Sequence, residues 1–161
     1  MLGRSLYRYR EEGLMFLRLI IGTIFLVHGY SKLYSGEGIV GTVKLFTELG
    51  IFFPTIVAWL VALGELLGGG FLIIGFLTRE FSLILIVIML GAVWTVHLPN
   101  GFFAVDKGYE YNLTLIGACL CLLLSGGGSG ALDKVIFPRA RWTFISDPSK
   151  VRLEPPDNIL D

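Results

Sequence analysis

The chain has 161 residues, of which 54% are hydrophobic and 16% charged, and its mean hydropathy is +0.74. That leaves too little polar side chain to coat a soluble domain, so the chain belongs in lipid. The formal net charge is +0, with the bases gathered at the two ends and between the second and third apolar stretches, and nucleic acid is not an expected partner.

A helix needs about 20 mostly apolar residues to cross a hydrocarbon core about 30 Å thick. Leu14 to Leu33 meets that length. Bases precede it as in a secretory signal, but the run is too long and no small-x-small cleavage site follows, so it reads as a retained helix. Ile39 to Ile51 then places Ile39, Val43, Phe46 and Gly50 on one side and Lys44 and Glu48 on the other, the spacing of a short amphipathic helix at the membrane interface. Phe53 to Leu77 is the second span, with Pro54 in its first turn, where a missing N–H is harmless. Phe81 to Leu98 is the third. Tyr111 to Leu124 is short, and reaches a full span only when Glu110 and Tyr109 are counted as an interfacial turn.

Gly126, Gly127, Gly128 and Gly130 follow as a flexible linker. No strand precedes them and no Lys-Ser/Thr pair follows, so they are not a phosphate loop. From Asp133 to Asp161 the sequence carries Pro138, Pro148, Pro155 and Pro156 with mixed charge, too little apolar surface to order itself. A partner subunit or the membrane surface is the natural support for such a tail. The expected fold is an all-α membrane protein: a four-transmembrane-helix bundle over residues 14–133, a short amphipathic helix in the first outer loop, an N-terminal segment 1–13 and an extended tail 134–161. Most of the Lys and Arg residues lie at the two ends and in the tight second connection, so the positive-inside rule puts both termini in the cytoplasm and residues 34–53 and 99–109 outside.

Within these spans sit ionisable groups that lipid disfavours: His28 and Lys32, Glu65, His97 and Glu110. Such groups normally face a bundle interior, pair with one another and mark a functional pathway. Arg18, Ile21, Phe25, His28 and Lys32 follow alternating steps of three and four along one stripe of the first helix. Ala58, Val61, Glu65, Gly68 and Leu72 form a comparable stripe on the second, where small residues let a neighbouring backbone approach. Glu110, Thr114, Gly117 and Cys121 do so on the fourth, and Trp94 and His97 lie one turn apart on the third. With both termini inside, the first helix climbs outward and the second descends, so at about 1.5 Å per residue His28 lies about 8 Å and Glu65 about 18 Å below the outer end. The expected cluster is therefore His28, Lys32, His97 and Glu110, with Glu65 beneath it and Asp106, Tyr109 and Asn112 at its rim. Arg18 is expected to snorkel toward lipid headgroups instead. Cys119 and Cys121 diverge on a helix, cannot pair, and pack as small apolar residues, which disfavours a thiol-based quinone reductase.

Leu17-Arg18-Leu19, His28-Gly29-x-x-Lys32, Glu65-Leu66-Leu67-Gly68-Gly69 and Gly75-x-x-Thr78-Arg79 occur in this order. Thr95-Val96-His97-Leu98-Pro99-Asn100-Gly101-Phe102 and Gly108-Tyr109-Glu110-Tyr111-Asn112 follow. Together they resemble the DoxX family from Leu14 to Asp133. The resemblance implies a four-helix protein of the bacterial or archaeal cytoplasmic membrane, related to the membrane subunit of thiosulfate:quinone oxidoreductase, working in quinone-linked redox chemistry with other subunits. On that implication His28 and His97 would donate hydrogen bonds to a quinone headgroup while Glu65 or Glu110 exchanges protons and Lys32 stabilises a developing anion. Trp94, Phe102, Phe103 and Tyr109 would line the entrance, with Asn112 at the rim. The sequence has no c-type haem motif, no iron–sulfur cysteine set and no flavin fingerprint, so electrons would come from another polypeptide. Two alternatives are a non-catalytic accessory or assembly subunit and a metal site made from the histidines and carboxylates, the latter disfavoured by Lys32.

Overall fold

A computed structural model describes residues 9–137. Arg4, Arg8 and the proline-bearing tail from Pro138 onward, with its expected partner contacts, lie outside them. Helix α1 runs Arg10–Tyr34, α2 Gly38–Glu48, α3 Pro54–Ile74, α4 Thr78–Ala92, α5 Glu110–Ser125 and α6 Asp133–Ile136. Beyond Ala92 the fourth helix continues through a π turn, Val93–His97, and a 3-10 turn, Leu98–Asn100. The molecule is a membrane bundle of four apolar helices, of which α1, α3 and the extended α4 have the length and composition to cross a bilayer, while α5 is shorter. α1 packs along α3, α3 along α4, α4 along α5, and α5 closes back on α1, with α2 leaning on α1 and α3.

Glycine sets the closest of these contacts. A Cβ on Gly22 would lie 2.8 Å from the Gly69 carbonyl oxygen, and one on Gly29 would lie 2.7 Å from Leu66 Cα and 2.9 Å from the Ala62 oxygen. Gly22 and Gly29 are seven residues apart, as are Ala62 and Gly69, so each pair stays on one side of its helix and the two backbones touch over two turns. Phe25, Leu72, Leu85, Cys119 and Leu122, all fully or almost fully buried, fill the middle of the bundle. Phe16, Ile20, Leu60, Val87 and Leu124 point outward and are exposed, as lipid-facing side chains must be.

The glycine run after α5 is not a loose linker. Gly127 and Gly128 are buried, and a Cβ on Gly128 would meet Leu14 Cβ at 2.6 Å and Met15 N at 2.8 Å. The segment crosses the end of the bundle where α1 begins and α3 finishes: Ser129 N–H donates to the Glu11 carbonyl, and Leu132 N–H and Asp133 N–H donate to the Ile74 and Gly75 carbonyls. The missing side chains serve close packing here, which low complexity in the sequence disguises.

Two glycine substitutions separate packing from helix propensity. Gly29→Val should lower the thermal unfolding midpoint in detergent sharply, by the equivalent of about 3 kcal/mol or more, because backbone stands where the side chain must go. Gly117, whose Cβ would meet nothing within 4 Å, should accept alanine with a gain of about 0.5–1 kcal/mol.

Candidate functional site

At the end of the bundle where α1 finishes and α3 begins, α1, α3, α4 and α5 part around a chamber of about 700 Å³ roofed by α2 and the 104–108 loop. Its walls are predominantly apolar, with His28, Lys32, Glu65, His97, Asn112 and Tyr111 among the residues that line it. Lys32 Nζ donates to Glu65 Oε2 in a direct ion pair. The Glu65 side chain is only 3% exposed and that of Lys32 28%, so the carboxylate is the sequestered partner and the ammonium reaches it from the more open side. A lone carboxylate at this depth would be protonated or costly; a paired one remains available as a charge and an acceptor. Gly22 lies opposite Gly69 and Ile73, and Gly29 opposite Ala62 and Leu66, so Glu65 is level with His28 and about one turn deeper than Lys32, whose long stem spans the difference, and the helix ends are not level.

The π turn decides the fate of the third span. Leu98 N–H donates to the Val93 carbonyl, five residues back, and this wider turn takes Trp94 and His97 off a common face. His97 is half-buried against the chamber, whereas Trp94 is 76% exposed on the outer surface and does not line it. His97 Nδ1 lies 2.7 Å from the Lys107 carbonyl oxygen, which ties the end of α4 to the covering loop. His28, on α1, lines the chamber across from Tyr111 on α5, ring centroids 6.2 Å apart.

Asn112 is 5% exposed and its Nδ2 donates to Met89 Sδ at 3.5 Å. Glu110 does not join this cluster: its exposed carboxylate accepts from Ala104 N–H at 2.9 Å, bracing the loop from the start of α5. Phe102 does not line the chamber; it packs edge-on against Tyr109 and Phe103, with centroids 5.4 and 5.5 Å away. These rings hold the loop's own shape, which Gly108 permits, since a Cβ there would strike the Phe102 carbonyl group. Among the described residues no three His, Cys, Asp or Glu side chains come together as a metal-binding group.

A second polar cluster, which no single sequence motif marks, lies at the opposite end, where α1 begins and α3 finishes. Arg18 does not reach for headgroups: it is 3% exposed, with Nη1 tucked against Gly75 and Gly127. Its Nε and Nη1, and Thr78 Oγ1, are buried without hydrogen-bond partners. Asp133 supplies the nearby negative charge, and its two carboxylate oxygens accept from Leu77 N–H at 2.6 Å and Thr78 N–H at 2.9 Å, capping α4. Leu77 occupies the left-handed region at φ 48°, a costly conformation for a leucine that the first of these bonds helps hold. Lys134 pairs with Glu11 beside it. No local pattern marks Asp133 as a cap, because its partners lie 55 and 56 residues away.

Four apolar helices around an apolar chamber with a buried lysine–glutamate pair in its wall define an integral membrane protein built to present polar groups inside lipid. The chain belongs to the DoxX family, whose profile matches residues 13–98, a stretch that contains His28, Lys32, Glu65 and His97. It is 34% identical, over 79% of its length and 89% of the relative's, to a Bacillus subtilis protein named "Putative oxidoreductase CatD". An uncharacterized membrane protein of Mycobacterium tuberculosis is 28% identical over 85% of this chain and 89% of its own. The Escherichia coli inner membrane protein YqjF is 26% identical over 80% of this chain and 95% of its own. No solved structure matches.

The ion pair has a testable energetic signature. Lys32→Met leaves a buried carboxylate unpaired and should cost about 3 kcal/mol, read as a lowered thermal midpoint in detergent, whereas Lys32→Met combined with Glu65→Leu should recover most of that loss. A double variant no more stable than the single one would mean that the pair is not what holds this wall.

Proposed function

We propose that this protein is the integral membrane subunit of a redox complex and that its chamber binds a quinone headgroup. The observation that carries the reading is the Lys32–Glu65 pair set in the wall of a largely apolar chamber of about 700 Å³. A quinone ring is a flat apolar body with oxygens at its edges, and a site for it needs apolar walls with a few placed polar groups. The residues present fit that requirement. When bound, the quinone supplies the capacity to take up two electrons and two protons.

The chain's own residues orient the ring and handle protons. Lys32 places positive charge beside Glu65, so a proton or an anionic oxygen on the ligand changes the balance of a pair already in place. His28 and His97, reached from α1 and from the π turn, stand at the same chamber and exchange protons with it. Aliphatic residues from α3 and α4, such as Val57, Val61 and Ile88, exclude water from the ring. Electrons come from a redox partner polypeptide. The relation to bacterial inner membrane proteins supports a place in the cytoplasmic membrane of a bacterium or archaeon; by the distribution of Lys and Arg its termini are inside, and the chamber lies toward the outer face. The family relation to a protein named as an oxidoreductase supports the redox assignment.

The test is direct binding. A short-tailed benzoquinone analogue titrated into the detergent-purified protein should bind, and His28→Ala and Glu65→Gln should each weaken binding about tenfold or more. Binding that both variants leave unchanged would place the ligand elsewhere.

A further inference from the structure

We infer that the chamber opens sideways into the lipid through a slot between α3 and α4, and that its ligand carries a hydrocarbon tail lying in that slot. This rests on the reading of the chamber as a quinone site and concerns how the ring arrives and which class of quinone it belongs to. A ring without a tail can come from water, whereas a tailed one is dissolved in the bilayer and needs an opening at the depth of the acyl chains.

The opening is read from how the two helices part. Going from the hairpin that joins them toward the chamber, a Cβ on Gly68 would lie 3.1 Å from Leu85 Cδ2, and one on Gly64 would lie 2.7 Å from Ile88 Cδ1. Val61 and Val57 follow one and two turns further along the same face of α3, yet they line the chamber. On α4 the next turn brings Gly91, which also lines it and whose Cβ would meet nothing within 4 Å. The seam is closed as far as Gly64 and Ile88 and open beyond them.

The chamber wall also wraps round α4 to the outside. Met89, Ala92, Ile88, Gly91 and Val87 all line it. Taken in that order they step three residues forward and four back, and each step turns about 40–60° in the same sense round the helix, about 200° in all. The sweep starts at Met89, 6% exposed, passes the side that touches Gly64 and ends at Val87, 61% exposed. A chamber sealed against lipid would have no wall on the outer side of α4. On α1 the lining keeps to the single stripe of Phe25, His28 and Lys32, and across the α1–α5 seam the rings of His28 and Tyr111 stand 6.2 Å apart. Depth decides what the slot faces. Met89 is the middle residue of the span Thr78–Asn100, so Val87 and Gly91 lie within about 3 Å of mid-span, where the surroundings are hydrocarbon. Val61, Ile88, Gly91 and Val87 offer no polar side chain. The occupant that suits such a slot is a hydrocarbon chain continuous with the ring held beside the Lys32–Glu65 pair.

The experiment maps the tail. A benzoquinone carrying a photoreactive diazirine midway along a decyl tail is bound to the full-length protein in detergent and irradiated, and the attachment sites are read by mass spectrometry. Labels should fall on residues 57–64 of α3 and 84–91 of α4, and should disappear when an excess of tailless trimethylbenzoquinone takes the ring's place. Gly91→Phe, which puts an aromatic ring into the slot, should weaken the decyl compound about tenfold more than the tailless one. Comparing the two compounds in one detergent cancels the partition of the tail into micelles. Labels on α2, on the 104–108 loop or along the α1–α5 seam, or an equal effect of Gly91→Phe on both compounds, would overturn the inference. So would slot labels that persist under excess tailless ring, since they mark a groove for any acyl chain. Binding of the tailless ring with the tail mapped elsewhere leaves the chamber a quinone site and removes only the slot; binding of neither compound removes both.

Discussion

The contact on which the rest depends is backbone against backbone, where Gly22 meets Gly69 and Gly29 meets Leu66 along the seam between α1 and α3. Lipid gives apolar helices little reason to choose one another, so association relies on close packing and on polar groups that cannot be left alone. Here the two come together. The seam brings the helices close enough for Lys32 to reach Glu65, and the pair then removes the penalty that either charge would carry if the seam opened. Neither glycine pair nor ion pair is persuasive alone, since small residues occur throughout membrane helices and a lysine near a helix end can snorkel. Their coincidence on one interface makes the register unique.

The chamber follows from the opposite condition, a place where helices are kept apart. α4 ends in a π turn and not in a regular helix, and the turn sends Trp94 outward and His97 inward. The loop after it is pinned by Glu110 to Ala104 N–H and by His97 to the Lys107 carbonyl. A carboxylate and an imidazole, both candidates for proton chemistry by residue type, divide the labour: one shapes the covering loop, and the other both shapes the loop and faces the chamber.

Much of this was legible in the sequence. Long apolar runs with period-3.6 spacing announce helices reliably, and the stripe His28–Lys32 with Glu65 on its neighbour pointed to a shared polar interior. What escaped was whatever depends on distant partners. Arg18 looks like a snorkelling base until Gly75 and Gly127, 57 and 109 positions away in sequence, are seen to close around it. The glycine run resembles a linker because composition cannot distinguish freedom from tight packing. Residue counting sets Glu65 well beneath His28, whereas the two stand level, because helix lengths say nothing about whether their ends are level. Trp94 and His97 share a face in an ideal helix, and nothing local announces the extra width of a π turn.

The filled middle of the bundle has a consequence for how its two ends relate. Phe25, Leu72, Leu85 and Cys119 stand as a dry insulator between the Lys32–Glu65 wall and the Arg18–Asp133 base, and the strap from Gly126 to Asp133 caps that base from below. Among the described residues, no file of polar side chains bridges the two. The vestibule is a cul-de-sac among the described residues: its polar side chains end on an apolar floor and share no hydrogen bond with those at the opposite end.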